Sequence, residues 1–195
     1  AGIDRLITMD LHADQIQGFF EIPVDHLYAS TLFVPYLEGL DRSKLCIATP
    51  DTGGTKRANS YAKHLGVDMA ICYKQRKVAN KIEHMTVIGD VRGKDVVIID
   101  DMCDTAGTLT KAASLMMEHG AESVRALCTH AVLSGPAYER IAESVLTQFV
   151  VTDSIPLNKE KNTDKFKVLP VHELFAETLT CLVENRSISD TLLIH

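Results

Sequence analysis

The chain has 195 residues, of which 46% are hydrophobic and 24% are charged, a composition typical of a soluble globular protein that is long enough to bury a core. Its formal net charge of −6 argues against a general nucleic-acid-binding protein, which would carry a basic surface. No apolar run approaches the ~18 residues of a membrane-spanning helix, and five cysteines without a C-x-x-C pair fit reduced thiols in the cytoplasm.

Apolar runs and helical stretches alternate along the chain. Strands are predicted over residues 5–9, 45–49, 68–73, 96–99, 124–130 and 149–152. A helix is predicted over 55–65 with Gly66 as its stop, a second runs from about Thr108 to near Gly120, and Pro136 opens a third. Strands separated by helices form βαβ units. We therefore predict an α/β fold, a single domain over residues 1–195 with three layers, in which helices flank a mainly parallel twisted sheet.

Polar residues gather where the predicted strands end. The residues that follow the first four strands are, in order, Asp10 and His12, then Asp51, then Lys74 and Arg76, then Asp100 and Asp101. Ligands of open parallel sheets bind at the carboxyl ends of the strands. These four strand ends therefore predict one site at one edge of the sheet.

The segment "DTAGT", residues 104–108, lies where the fourth strand turns into a helix. Unpaired backbone N–H groups, the helix dipole and the hydroxyls of Thr105 and Thr108 favour a bound phosphate there. The alternative is an ordinary helix start with Asp104 or Thr105 as its cap. The adjacent Asp100 and Asp101 favour the ligand, because two carboxylates at the end of a buried strand need donors or a cation. Ribose hydroxyls and hydrated Mg²⁺ supply both, which indicates a pentose phosphate.

Three further segments have a functional and an ordinary interpretation. In "TPDTGGTKR", Asp51 could hold a metal and Gly53-Gly54 could let the backbone approach a ligand, or the segment is a tight turn before a helix. In "KQRKVANK", Lys74 and Arg76 would suit a phosphoryl group in transfer, or the run is a solvated charge cluster. In "DLH", His12 could lie near a phosphate or metal, or serve the structure alone.

Six segments together resemble one family, ribose-phosphate pyrophosphokinase, also called phosphoribosyl pyrophosphate (PRPP) synthetase. They are "TMDLHADQIQGFFEIPVDHLYAS", "PDTGGTKRA", "KQRKVAN", "IIDDMCDTAGT", "THAVLSGPA" and "VLPVHELFAETL". The resemblance covers nearly the whole chain in order. The "IIDDMCDTAGT" segment is shared with the wider type I phosphoribosyltransferase fold, whereas "DLH" and Lys-x-Arg point to the synthetase.

The resemblance implies transfer of the diphosphoryl group of ATP to the 1-hydroxyl of ribose 5-phosphate, which gives PRPP and AMP. By this resemblance His12 and Asp51 are associated with Mg²⁺, Lys74 is the catalytic lysine and Arg76 is its partner at the substrate. Asp100 is then a ligand of the ribose hydroxyls, and Asp101 acts through metal-bound water. The loop that holds ribose and its 5-phosphate consists of Asp104, Thr105, Ala106, Gly107 and Thr108.

Members of this family carry a preceding domain of similar fold and assemble as homo-oligomers, typically hexamers. That domain supplies much of the ATP contact, so we expect an incomplete ATP site in this chain. Two alternatives remain. A PRPP-consuming phosphoribosyltransferase would need a hood over its base and no Lys74-Gln75-Arg76, and a non-catalytic PRPP-synthetase-associated subunit would have altered catalytic segments, which are intact here.

Overall fold

The computed structural model describes residues 2–75, 84–161 and 163–188. Its strands are β1 (Leu6–Met9), β2 (Val24–Leu27), β3 (Leu45–Thr49), β4 (Asp68–Gln75), β5 (His84–Ile88), β6 (Asp95–Cys103), β7 (Ser123–Ala131), β8 (Gln148–Thr152) and β9 (Phe166–Leu169). Its α-helices are α1 (Ser30–Glu38), α2 (Thr55–Leu65), α3 (Gly107–Glu118), α4 (Ala137–Glu143) and α5 (His172–Val183). A short 3-10 helix spans Asp14–Phe19.

Seven strands form the main sheet in the order β5-β4-β3-β6-β7-β8-β9. The pair β4–β5 is antiparallel, and all the other neighbours are parallel. The central strand β6 alternates its side chains between the two faces, both of which are covered, as the continuous apolar run predicts. The predicted α/β architecture with a mainly parallel sheet is confirmed.

The core has two parts, one on each face of this sheet. Val96 and Ile98 of β6 pack with α3 and α4 on one face, whereas Val97 and Ile99 pack with α1, α2 and Leu174 of α5 on the other. The predicted apolar stripe of α3 is buried, and its members are Leu109, Ala112, Ala113 and Met116. Helix, sheet and helix therefore form the three predicted layers.

Two predictions about strands need correction. β1 does not belong to the main sheet, because it pairs in parallel with β2 in a separate two-stranded sheet. The strand predicted over 96–99 continues to Cys103, so Asp100 and Asp101 lie inside β6. Backbone pairing explains the extension: Asp100 lies opposite Cys128 and Met102 opposite His130 of β7, although the apolar run has already ended.

The predicted helices begin and end close to the expected residues. α2 spans the predicted residues and ends at Gly66, whose φ of 67° lies in the left-handed region that glycine adopts readily. α3 begins one residue before Thr108, and α4 follows Pro136. Within the described part of the chain, no helix is long and apolar enough to cross a membrane.

Candidate functional site

A cavity of about 890 Å³ opens at the carboxyl ends of β3 and β6. Nine of the residues predicted from the sequence line it: His12, Asp51, Asp100, Asp101, Asp104, Thr105, Ala106, Gly107 and Thr108. Lys74 lies in β4, next to β3 in the sheet, but its side chain and the whole of Arg76 lie outside the described residues. Because the strands are parallel, segments far apart in sequence meet at this one edge.

Residues 104–108, the anion loop, follow β6 and include the first two residues of α3. The residue before α3 is Ala106, which has a φ of 59° and no side-chain hydrogen bond to the helix. The alternative that Asp104 or Thr105 is the N-cap is therefore wrong. The first N–H groups of α3 have no intrahelical acceptor, and together with the helix dipole they form a site suited to an anion.

Arg57, on the first turns of α2, neutralises the acidic pair beside this loop. Its Nη1 donates a 2.8 Å hydrogen bond to Asp101 Oδ1 and lies 3.8 Å from Asp100 Oδ1. Asp101 Oδ2 lies 2.8 Å from His12 Nδ1, and the Asp101 N–H donates to Asp100 Oδ1 at 3.0 Å. Sequence analysis assigned no role to Arg57, although its position in "GGTKR", just after the second strand, was the available signal.

The two carboxyl groups have opposite pKa shifts. Burial, together with the neighbouring Asp101, raises the pKa of Asp100 well above its ordinary value. Burial acts in the same direction on Asp101, but the Arg57 cation and the hydrogen bond from His12 outweigh it and lower the pKa of Asp101. Arg57 and His12 therefore keep Asp101 ionised. Asp100 is left either to bind a proton or to accept a hydrogen bond from a ligand.

Asp51 is held by the turn that precedes α2. Its Oδ1 accepts hydrogen bonds from the N–H groups of Gly53 and Gly54 at 2.8 and 3.3 Å. A Cβ at Gly54 would lie 2.3 Å from Thr49 Oγ1, so glycine is needed there for packing against β3. Gly54 therefore makes a close approach to the protein's own strand, and the close approach of the Gly53-Gly54 backbone to a ligand stays a prediction.

A buried network fixes the loop that carries His12, although β1 lies outside the main sheet. Asp10, with a φ of 38°, accepts hydrogen bonds at Oδ2 from the Ala29 N–H and from the Thr129 hydroxyl of β7. His130 Nε2 lies 3.0 Å from Met9 O and 3.2 Å from Asp10 O. Two residues of β7 therefore bring the carboxyl end of β1 to the edge where β6 ends.

His12 and Asp51 fit a cation that is bound mainly through water and ligand oxygens. No cluster of three or more metal-ligating side chains occurs in residues 2–75, 84–161 and 163–188. His12 Nδ1 faces a carboxylate, which is the usual outer partner of a metal-binding imidazole, and this leaves Nε2 available. His12 Nε2 and the Asp51 carboxylate are therefore candidate protein ligands of a cation, and Mg²⁺ is the cation that the family resemblance implies.

A family model described as "Phosphoribosyl synthetase-associated domain" matches residues 76–193. The chain belongs to this family. Two bacterial relatives of this chain carry the name ribose-phosphate pyrophosphokinase. The protein from Porphyromonas gingivalis is 57% identical over 190 residues, and the protein from Campylobacter jejuni is 53% identical over 189 residues.

A solved structure supports the same family. The crystal structure of phosphoribosylpyrophosphate synthetase from Mycobacterium smegmatis covers 94% of this chain with a TM-score of 0.87 and 38% sequence identity. The chain spans 60% of the length of that protein and of both curated relatives. The predicted family is confirmed.

Proposed function

We propose that the whole protein containing this chain transfers the diphosphoryl group of ATP to the 1-hydroxyl of ribose 5-phosphate and releases PRPP and AMP. The observation that carries the proposal is the cavity in which the anion loop and the Asp100–Asp101 pair lie side by side. A phosphate at one end and hydroxyl acceptors at the other match the two ends of a ribose phosphate. The relatives named ribose-phosphate pyrophosphokinase support this choice.

In this proposal the anion loop receives the 5-phosphate. The N–H groups at the start of α3 donate to its oxygens, and the hydroxyls of Thr105 and Thr108 add donors. The carboxyl groups of Asp100 and Asp104 accept from ribose hydroxyls. The ribose is thereby oriented, which lowers the entropic part of the barrier to transfer.

Mg²⁺ is the proposed cofactor, with His12 Nε2 and Asp51 as its protein ligands. When bound, it would offset charge on the phosphate oxygens. Asp101 holds His12 Nδ1 and so acts as an outer partner of the imidazole, and its contact with metal-bound water, which the resemblance implies, stays a prediction. Arg57 keeps Asp101 ionised for that task.

Lys74 and Arg76 are the proposed cationic partners of the transferred group. β4, which carries Lys74, pairs with β3, which leads to Asp51, with Thr49 opposite Ile71. Lys74 is three residues further along β4 and therefore lies beyond the end of β3, on the side of Asp51. Two cations there would stabilise the charge that develops on phosphorus oxygens in the transition state.

ATP and ribose 5-phosphate are the proposed substrates. We further propose that the protein forms a homo-oligomer and that it is located in the cytoplasm. We also propose that residues 1–195 form a single phosphoribosyltransferase-like domain, a view supported by two core clusters that share one sheet. The ATP site is completed outside this chain. The family resemblance supports these points.

Calorimetry tests the proposal on this chain. Wild type should bind ribose 5-phosphate, with inorganic phosphate as a weaker competitor. Asp104→Asn should weaken the affinity on the order of tenfold, because a hydrogen bond to a charged acceptor becomes a neutral one. Asp164→Asn is the matched control, since it removes the same charge from an exposed position outside the cavity.

Two results would overturn the proposal: wild type that binds neither ligand, or equal losses in both variants. The full-length protein separates the two alternative functions. AMP formation that requires ribose 5-phosphate supports the synthetase. Pyrophosphate release from PRPP plus a base would indicate a phosphoribosyltransferase, and the absence of both reactions a non-catalytic subunit.

A further inference from the structure

Three consecutive carbonyl groups around the anion loop accept hydrogen bonds from one neighbouring segment. Cys103 O accepts from the Leu133 N–H at 3.0 Å, and Asp104 O accepts from the Ser134 N–H at 2.9 Å. Thr105 O accepts from Arg140 Nη1 at 2.9 Å. All three donors lie in residues 133–140, the brace segment, which follows β7 and includes the first turn of α4.

The brace segment orients the peptide groups of the anion loop. With the carbonyls of residues 103–105 tied to one side, the chain reaches Ala106 in a fixed direction. Ala106 has a φ of 59°, a left-handed conformation that non-glycine residues adopt only when the surroundings hold them. The bond from Arg140 acts on the peptide group that directly precedes this strained residue.

Arg140 is itself held in place. It lies on α4, where its N–H donates to Pro136 O at 3.0 Å. Lys165 fastens the other end of α4, because its Nζ donates to Ile141 O and Ser144 O at 3.2 and 2.6 Å. The guanidinium therefore projects from a helix whose carboxyl end is held by Lys165.

Gly107 gives independent support for this arrangement. A Cβ at this position would lie 3.3 Å from Arg140 Nη1, so the guanidinium fits against the loop where a side chain is absent. Among the described residues Arg140 makes no ion pair, and its guanidinium donates a hydrogen bond to Thr105 O. The Arg140 side chain therefore binds the backbone of the anion loop.

We propose that Arg140 is a positioning residue, which holds the left-handed turn at Ala106 and thereby aims the first N–H groups of α3 at the bound phosphate. This role rests on the proposed phosphate-binding function of the loop. It is independent of the residues that hold Mg²⁺ and of Lys74. Arg140 acts through Thr105 and does not contact the reacting atoms.

The test compares Arg140→Gln and Arg140→Lys with wild type. Arg42→Gln is the matched control, because Arg42 is an exposed arginine distant in sequence from the loop and absent from the cavity lining. The readouts are the ¹H–¹⁵N chemical shifts of the Ala106, Gly107 and Thr108 amides without ligand, and the affinities for ribose 5-phosphate and inorganic phosphate by calorimetry. Thermal unfolding is followed in parallel to confirm that each variant is folded.

In Arg140→Gln we expect the three amide signals to move before any ligand is added, and both affinities to fall on the order of tenfold. Arg140→Lys, which keeps the charge and one donor, should recover part of both effects. Arg42→Gln should change neither. Weaker phosphate binding with unmoved amides would overturn the proposal, since the arginine would then act by its charge alone.

Unchanged amides and unchanged affinities in Arg140→Gln would also overturn it. Failure of the proposed function looks different: wild type would bind neither ribose 5-phosphate nor phosphate, whatever the variants do. The amide signals of the unliganded chain would still show whether Arg140 holds the loop.

Discussion

At the scale of single residues, the site depends on how two adjacent carboxyl groups are tolerated next to an anion-binding loop. Asp101 needs hydrogen-bond donors or a cation more than Asp100 does, because only 7% of its side chain is exposed. Its two oxygens are occupied by Arg57 and His12, whereas Asp100 carries the raised pKa. The pair is therefore asymmetric before any ligand arrives, with one carboxylate structural and the other available.

Removal of the Arg57 side chain should show how much this pairing contributes. Arg57→Ala leaves Asp101 buried without its cation, and we expect the free energy of unfolding to fall by about 2 kcal/mol. The value is below that of fully buried pairs because 26% of the Arg57 side chain is exposed. Urea unfolding at pH 7 measures the loss. Lys56→Ala is the control, since it removes an exposed cation from the same turn, and equal losses in both variants would contradict the role of Arg57.

The buried cysteines give a second prediction at this scale. Burial raises the pKa of Cys46 and Cys72 to about 11 and that of Cys103 to about 12. The reactive thiolate forms only as the pH approaches these values, so at pH 8 about one thiol in a thousand or fewer is ionised. We expect these cysteines to resist a disulfide reagent in the native chain and to react at once in urea. Fast labelling of Cys103 in the folded protein would contradict its burial.

The acidic pair and the anion loop could be predicted from the sequence because their residues are contiguous. The roles of Arg57 and Arg140 could not, because their partners lie 44 and 35 residues away in the sequence. The position of Arg57 just after a strand makes it a candidate but does not name its partner. Gly54 shows a different limit. The sequence shows that a glycine is present, but only the structure shows that Thr49 of β3 leaves no room for a side chain there. Residue types indicate chemistry, whereas tertiary contacts assign the partners.

At the scale of elements, sequence patterns predicted the strands β3, β4, β6, β7 and β8 and the helices α2 and α3. β2 and β9 contain four residues each, too few for a clear alternation, and α1 includes Pro35, which is rare inside helices. The place of β1 was wrong because a short apolar run does not specify which sheet it joins. Its loop still reaches the predicted edge through the contacts of Asp10 and His130 with the rest of the fold.

Thr129 gives a test of that attachment between the small sheet and the main sheet. Thr129→Val keeps the shape of the side chain but leaves the buried Asp10 carboxyl group without its hydroxyl donor. We expect unfolding free energy to fall by about 2 kcal/mol, as for other hydrogen bonds to buried charged groups. Urea unfolding again provides the measurement. Thr129→Ser, which retains the hydroxyl, should recover most of the loss, and a Ser variant as unstable as Val would show that packing of the methyl group matters instead.

At the scale of the whole molecule, the match with the relative from Porphyromonas gingivalis covers 97% of this chain but only 60% of that relative. The described residues supply a cavity that is lined by the anion loop and by the Asp100–Asp101 pair. The predicted family is borne out by the comparisons, whereas the division into domains and the roles of the site residues stay predictions. Because the chain spans only part of its relatives' length, we expect it to distinguish between the two substrates of the proposed reaction.

We expect this chain alone to bind ribose 5-phosphate and to bind ATP at least about tenfold more weakly, a difference of about 1.4 kcal/mol. The reason is that the anion loop, the proposed site of the 5-phosphate, lies within the described residues. The family resemblance places much of the ATP contact in a further domain. Calorimetry with each ligand in the presence of Mg²⁺ measures the ratio, and a full-length relative serves as the control that binds both. ATP affinity in this chain equal to that of the full-length relative would contradict the assignment and place the nucleotide site within these 195 residues.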